Sequence, residues 1–232
     1  LEPLLEEART VFADYPEVLV YLRGCGDRLA AVLTGRESPL ETLFPAGSFE
    51  IANGIYQDSC VARYLNGMVR AAFEAVVRSR PAGGLRVLEI GGGTAGTSSS
   101  VLPVLPSSRA RYLFTDVSDL FLASAAEKLA AYPFVTYALL DVEKEPAAQG
   151  LEGASFDLIL AANVLHATRD LRATVERVRS LLAPAGVLVL SETTSHPHYF
   201  DSSTGLIEGS PTSADYLRGD TPPVSATAWV SL

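Results

Sequence analysis

At 232 residues the chain suits one globular domain and is small for two. Hydrophobic residues at 48% against 19% charged exclude a disordered segment and require a sizeable core. A net charge of −9, from 18 basic and 27 acidic side chains, counts against a nucleic-acid partner, and no apolar run is long enough to span a membrane. Cys25 and Cys60 are too few for a disulfide scaffold or a zinc site, so a soluble, cytoplasmic protein without a metal is expected. Residue 1 is Leu and Met68 is the only methionine, which predicts a domain cut from a larger polypeptide.

The first elements are helical. Residues 2–14 and 17–33 are rich in Leu, Ala, Val and Glu, with Pro16 between them. The stretch 34–59 holds Gly35, Pro39, Pro45 and Gly47 and reads as a loop. Residues 60–79 then carry Val61, Leu65, Met68, Ala72 and Val76 at helical spacing, as one apolar stripe. Pro81, Gly83 and Gly84 punctuate a boundary, so 1–80 is expected as a helical segment and 81–232 as the core domain.

From residue 85 short apolar runs alternate with helical patterns. The runs are Arg86–Ile90, Tyr112–Thr115, Val135–Leu140, Phe156–Ala162 and Val187–Ser191; the clearest helices are 119–131 and 170–182. Strands apolar on both faces and separated by helices predict an α/β fold with a covered parallel sheet. Residues 196–204 read as a polar loop and 225–232 as the start of a helix, with no pair of further strands.

Gly91, Gly93 and Gly96 follow the first strand in Leu88-Glu89-Ile90-Gly91-Gly92-Gly93-Thr94-Ala95-Gly96 and open a helix. A tight turn whose backbone meets a ligand tolerates no Cβ, and the bare spacing fits a dinucleotide site too. Asp116 ends the second strand, where a carboxylate can accept from both ribose hydroxyls. Asp141 ends the third and Asn163 the fourth. Each alone could be a turn or helix cap; four successive polar carboxyl ends outline a ligand crevice.

Here the sequence resembles the class I S-adenosylmethionine-dependent methyltransferases, which implies a Rossmann-like sheet with S-adenosylmethionine as cofactor. The resemblance, carried by residues 85–194, places Glu89 near the amino-acid end of the cofactor, Asp116 at its ribose, and Asp141 with Val142 by the adenine. The class closes its sheet with a sixth and a seventh strand, which this sequence does not reveal.

Methyl transfer to a weakly acidic atom wants a general base of near-neutral pKa. Of the three histidines, His166 lies just past the fourth strand, and Glu192 follows the fifth. Those strands are neighbours in such a fold, so a carboxylate could fix the imidazole tautomer. His196 and His198 read as substrate-facing or structural.

Asn163-Val164-Leu165-His166-Ala167-Thr168, Glu192 and Gly205-Leu206-Ile207-Glu208-Gly209 look like methyltransferase domains of modular polyketide synthases. Leu43-Phe44-Pro45-Ala46-Gly47-Ser48 and Ile55-Tyr56-Gln57-Asp58-Ser59 also match, as does Ala62-Arg63-Tyr64-Leu65-Asn66. That resemblance implies a His166–Glu192 dyad, lid contacts to the cofactor from Tyr56 and Asn66, and a polyketide substrate tethered to an acyl carrier protein. Neighbouring megasynthase domains would be the other partners. The short front before the glycines, residues 196–201, and Ser210 after Gly209 in place of an aromatic pair resemble oxygen-methylating members. A β-hydroxyl or enol oxygen is the expected acceptor; the alternatives are the α-carbon of a β-ketoacyl group, a non-catalytic scaffold, or a nicotinamide-dependent reductase.

Overall fold

The computed structural model describes residues 2–80, 82–195, 198–208 and 224–232. Two compact units are present, 1–65 with 197–211, and 66–196 with 212–232. His196 and the stretch Gly209–Ser213 lie outside the described residues.

In the first unit, α1 (Glu2–Val11) and α2 (Pro16–Leu33) follow the apolar patterning, and Pro16 starts α2 where its missing amide costs nothing. Residues 34–59 are not the loop their prolines suggested. They form single turns at Pro39–Thr42 and Pro45–Gly47, then α3 (Glu50–Asn53), which runs into a wider π turn at Gly54–Asp58. Proline stops a helix from its interior but is well placed in a first turn, so the same residues punctuate and nucleate. The π turn is closed by Ser59 N donating to Gly54 O at 2.8 Å. Tyr21, Cys25, Leu43 and Ala52 form this unit's core, with Tyr56 and Ile207 packed against it. The expected polar loop contains a turn at Phe200–Ser202 followed by α8 (Thr204–Glu208).

The helix α4 (Cys60–Ser79) passes from the first unit into the second. Its buried face is Ala62, Asn66, Val69 and Phe73, whereas Val61, Leu65 and Met68 are 47%, 44% and 55% exposed. The expected stripe has the right period and the wrong phase, because both sets of residues satisfy the spacing.

The second unit is a five-stranded parallel sheet of order β3-β2-β1-β4-β5 among the described residues. Its strands are β1 (Leu85–Ile90), β2 (Ala110–Asp116), β3 (Val135–Leu139), β4 (Phe156–Ala162) and β5 (Leu182–Ser191). The helices are α5 (Gly96–Val101), α6 (Asp119–Lys128), α7 (Leu171–Leu181) and α9 (Ala226–Val230). Alternate strand residues feed two layers. Val87, Tyr112, Phe114, Leu158 and Leu160 pack with Val69 and Phe73 of α4 and with Ala125 of α6. Leu88, Ile90, Ile159 and Ala161 pack with Leu171, Val178 and Leu181 of α7, where Trp229 of α9 also lies.

β5 begins five residues before the predicted run and is irregular there: Leu182 pairs with Phe156, and the register resumes at Val187 opposite Leu158. At the other end of the sheet Asp157 accepts from Arg86 N at 2.8 Å and pairs with Arg80 and Arg86. That leaves the carboxyl edge for chemistry. Among the described residues no helix is long and apolar enough to cross a membrane.

Candidate active site

β1 delivers Glu89 and then the glycines to the carboxyl edge. Gly91, Gly93 and Ala95 all have left-handed backbone, with φ of +61°, +51° and +59°. At Gly91 a Cβ would lie 2.2 Å from Val164 Cγ2, so the turn depends on its absence. At Gly93 nothing lies within 4 Å of a notional Cβ, so the loop opens to space on that side.

Asp116, at the end of β2, accepts from Gly93 N through Oδ2 and from Ser118 N through Oδ1, each at 3.0 Å. Burial raises its pKa, opposed by those amides and that of Val117. Glu89 is 2% exposed; its Oε2 accepts from Ser98 Oγ at 2.6 Å and Tyr112 OH at 2.8 Å. Burial pushes its carboxyl up to about 7. Asp141, just past β3, differs. Burial raises it, but hydrogen bonds from Lys144 and the Glu143 amide outweigh that and leave its pKa below the ordinary value.

Asn163 also takes a left-handed backbone, at φ +55°, and its Oδ1 accepts from Thr193 Oγ1 at 3.0 Å. Gly96 is the buried first residue of α5. Asn66 is buried and accepts from Thr97 Oγ1 at 2.9 Å. Val142 packs into the second core layer, and Tyr56 belongs to the first unit.

His166 and Glu192 come together. His166 sits in a single turn, Leu165–Ala167, beyond β4, and Glu192 follows β5. Glu192 Oε1 accepts from the amides of Val164 at 3.1 Å and Leu165 at 2.8 Å, and Oε2 lies 2.6 Å from His166 Nδ1. The side chain of His166 is 13% exposed and that of Glu192 3%. A carboxylate fixed by two amides makes Nδ1 the donor, which places the basic lone pair on Nε2.

Sequence reasoning missed three supports. Tyr112 and Ser98 hold Glu89; Gln149 bonds Asp141 N at 2.8 Å and Asp141 O at 2.9 Å; Lys128 Nζ donates to Thr94 O at 2.8 Å. None stands in a local motif, although Lys128 is one of only two lysines.

Residues 88–188 match a family described as a methyltransferase domain. Polyketide synthase ThaG of Burkholderia thailandensis is 41% identical over 189 residues, which is 78% of this chain and 3% of that protein. Polyketide synthase PksR of Bacillus subtilis is 35% identical over 78% of this chain and 7% of its own length. The chain thus spans a few per cent of these curated relatives.

Among solved structures, the CurJ carbon methyltransferase superposes with a TM-score of 0.93 at 39% identity, covering 99% of this chain and 62% of that one. The DszA carbon methyltransferase gives 0.91 at 31%, covering 99% and 61%. The trans-methyltransferase CalH in complex with SAH gives 0.75 at 32%, covering 88% and 57%.

The fold and the match over residues 88–188 define a methyltransferase domain of the class I fold, a family dependent on S-adenosylmethionine. It is similar to the methyltransferase domains of polyketide synthases. The expected oxygen-methylating type finds no support among these neighbours, two of which are described as carbon methyltransferases.

Proposed function

We propose that this chain is a carbon methyltransferase domain acting on the α-carbon of a β-ketoacyl thioester, with His166 as general base. The observation that carries the reading is the His166 Nδ1–Glu192 Oε2 approach of 2.6 Å at the carboxyl edge of β4 and β5. Support for carbon over oxygen comes from the two carbon methyltransferases that match 99% of the chain.

The residues present fit S-adenosylmethionine by their chemistry. Glu89, Asp116 and Asp141 put carboxylates along one edge, next to the open side of Gly93. Carboxylates accept from hydroxyl and amino groups, which the cofactor's ribose and amino-acid end present. When bound, the cofactor supplies an electrophilic methyl on a sulfonium. Asp116 would hold the ribose, Glu89 would serve the amino-acid end, and Asp141 the adenine. Asn66, in the same unit as the sheet, would support the site through Thr97.

The carbon between two carbonyls is acidic enough for an imidazole to deprotonate. Nε2 of His166 takes that proton, and Glu192 stabilises the imidazolium that forms. The anchoring of Glu192 by two backbone amides fixes the ring direction before substrate arrives. The thioester is presented by an acyl carrier protein, with other polyketide-synthase domains as neighbours; the kinship with ThaG and PksR supports that setting.

The test is incubation with S-adenosylmethionine and a carrier-bound β-ketoacyl group, with intact mass for turnover and carbon-13 NMR to locate the methyl. A C-methyl signal is expected. A methoxy signal would move the acceptor to oxygen, and no product would remove the catalytic reading. His166→Ala should lower turnover on the order of 10²–10⁴-fold while leaving S-adenosylhomocysteine affinity within about threefold.

A further inference from the structure

We propose that Lys128 is a positioning residue for the glycine loop, its ammonium clamping the Thr94 carbonyl so that the loop keeps the form that receives the cofactor. The inference rests on the S-adenosylmethionine reading of that loop.

A lysine in the last turn of a helix ordinarily faces its own terminal carbonyls or water. Lys128 is the last residue of α6, yet its Nζ reaches across to Thr94 O at 2.8 Å, in a partly buried setting. The end of α6 is closed by backbone instead, with Leu129 N donating to Ala125 O at 2.8 Å.

Thr94 stands between two left-handed residues, Gly93 at φ +51° and Ala95 at φ +59°. Backbone ties the loop in part, with Gly92 N donating to Thr115 O and Ala95 N to Gly92 O, each at 2.9 Å, and two side chains add to this. Asp116 takes the Gly93 amide at 3.0 Å, and Lys128 takes the Thr94 carbonyl. Both ties come from one stretch of chain, because Asp116 ends β2 and Lys128 ends the helix that follows. The 92–93 and 94–95 peptide groups, with one peptide between them, are thus held from the end of β2 and from the end of α6. A charge-assisted bond is the stronger kind, and losing it leaves the 94–95 peptide held through its amide alone. Lys128 does not meet the reacting atoms; it acts through the backbone of residues 93–95.

The experiment compares the wild type with Lys128→Met and Lys128→Arg. It combines calorimetric titration with S-adenosylhomocysteine, hydrogen exchange of the Gly93, Thr94 and Ala95 amides without ligand, and kcat at saturating cofactor. Lys128→Met should weaken binding about tenfold and speed loop exchange, with kcat within about twofold. Lys128→Arg, which keeps charge and reach, should restore affinity to within about threefold of wild type.

Unchanged affinity in Lys128→Met, whether or not its melting temperature falls, overturns the proposal when the wild type binds. A wild type that binds no S-adenosylhomocysteine while loop exchange still speeds up in the variant overturns the cofactor reading and leaves the clamp standing. If neither affinity nor exchange responds, the clamp itself is refuted. Should Lys128→Met not fold, Lys128→Gln, with a shorter neutral donor, is read by the same criteria.

Discussion

Three carboxylates share the carboxyl edge of the sheet, and burial sorts them. Asp141 has Lys144 Nζ at 3.0 Å and stays ionised; Asp116 is pushed upward by burial but held by backbone amides. Among the described residues Glu89 has only hydroxyl donors, from Ser98 and Tyr112, and burial raises its pKa from 4.5 to about 7. The folded protein therefore binds this proton more tightly than the unfolded chain does. Its contribution to stability is fully present below the unfolded value of 4.5 and is lost as pH rises through about 7. The loss is at most about 3 kcal/mol. Glu89→Gln keeps an acceptor for both hydroxyls and removes the proton. Urea unfolding at about pH 5 and about pH 8 should show the wild type losing more stability than the variant over that rise. Equal losses would mean that Glu89 is ionised in both states. The carboxylate itself was visible in the sequence at the end of an apolar strand. Its pKa was not, because Tyr112 and Ser98 come from a second strand and a helix.

At the scale of elements, the glycine turn shows how much spacing can reveal. The pattern Gly91-x-Gly93 marks the turn, but the two glycines are there for different reasons. Gly91 combines φ +61° with Val164 Cγ2 at 2.2 Å from a would-be Cβ, whereas Gly93 has φ +51° and open space. Gly91→Ala should therefore cost about 2–4 kcal/mol, from backbone strain together with a clash. Gly93→Ala should cost about 1 kcal/mol in stability, and its main effect should fall on S-adenosylhomocysteine affinity. Thermal melts alongside calorimetric titration separate the two outcomes; equal loss of stability at both positions would contradict the contrast.

Strands were legible because parallel strands are apolar on both faces, and helix α7 because Leu171, Val175 and Val178 recur at helical spacing, although its buried side is Leu171, Thr174, Val178 and Leu181 and Leu182 opens β5. The phase of α4 was not legible, since a helix with apolar residues on two faces leaves the choice to its neighbours. The early start of β5 was hidden by Pro184, Ala185 at φ +59° and Gly186, an irregular stretch that reads as a turn. For the site, the His166–Glu192 pair was expected from strand adjacency and from the family resemblance. The two amides that orient Glu192 belong to the turn after β4 and leave no mark in the residue types.

Among the described residues of the second unit, the sheet is the only element shared by both core layers. Phe73 of α4 is fully buried in one layer; Trp229, the only tryptophan, packs against the other. A signal from Trp229 therefore reports loss of packing at Phe73 only if unfolding is cooperative across the strands. β1 and β4 make that coupling plausible on physical grounds. Each sends alternate residues to opposite layers, with Val87 and Leu158 on one side and Leu88 and Ile159 on the other. Removing the ring of Phe73 leaves a cavity under α4, and Phe73→Ala should cost about 3–5 kcal/mol. Urea unfolding followed by Trp229 fluorescence should show that entire loss as a lower midpoint with an unchanged slope. A midpoint that does not move, with circular dichroism recording an earlier loss of helix, would show that the α4 layer unfolds separately from the α7 layer. In the cooperative case the carboxyl edge is rigid because both layers brace it, so Glu89, Asp116 and the His166–Glu192 pair keep their spacing until the whole unit opens.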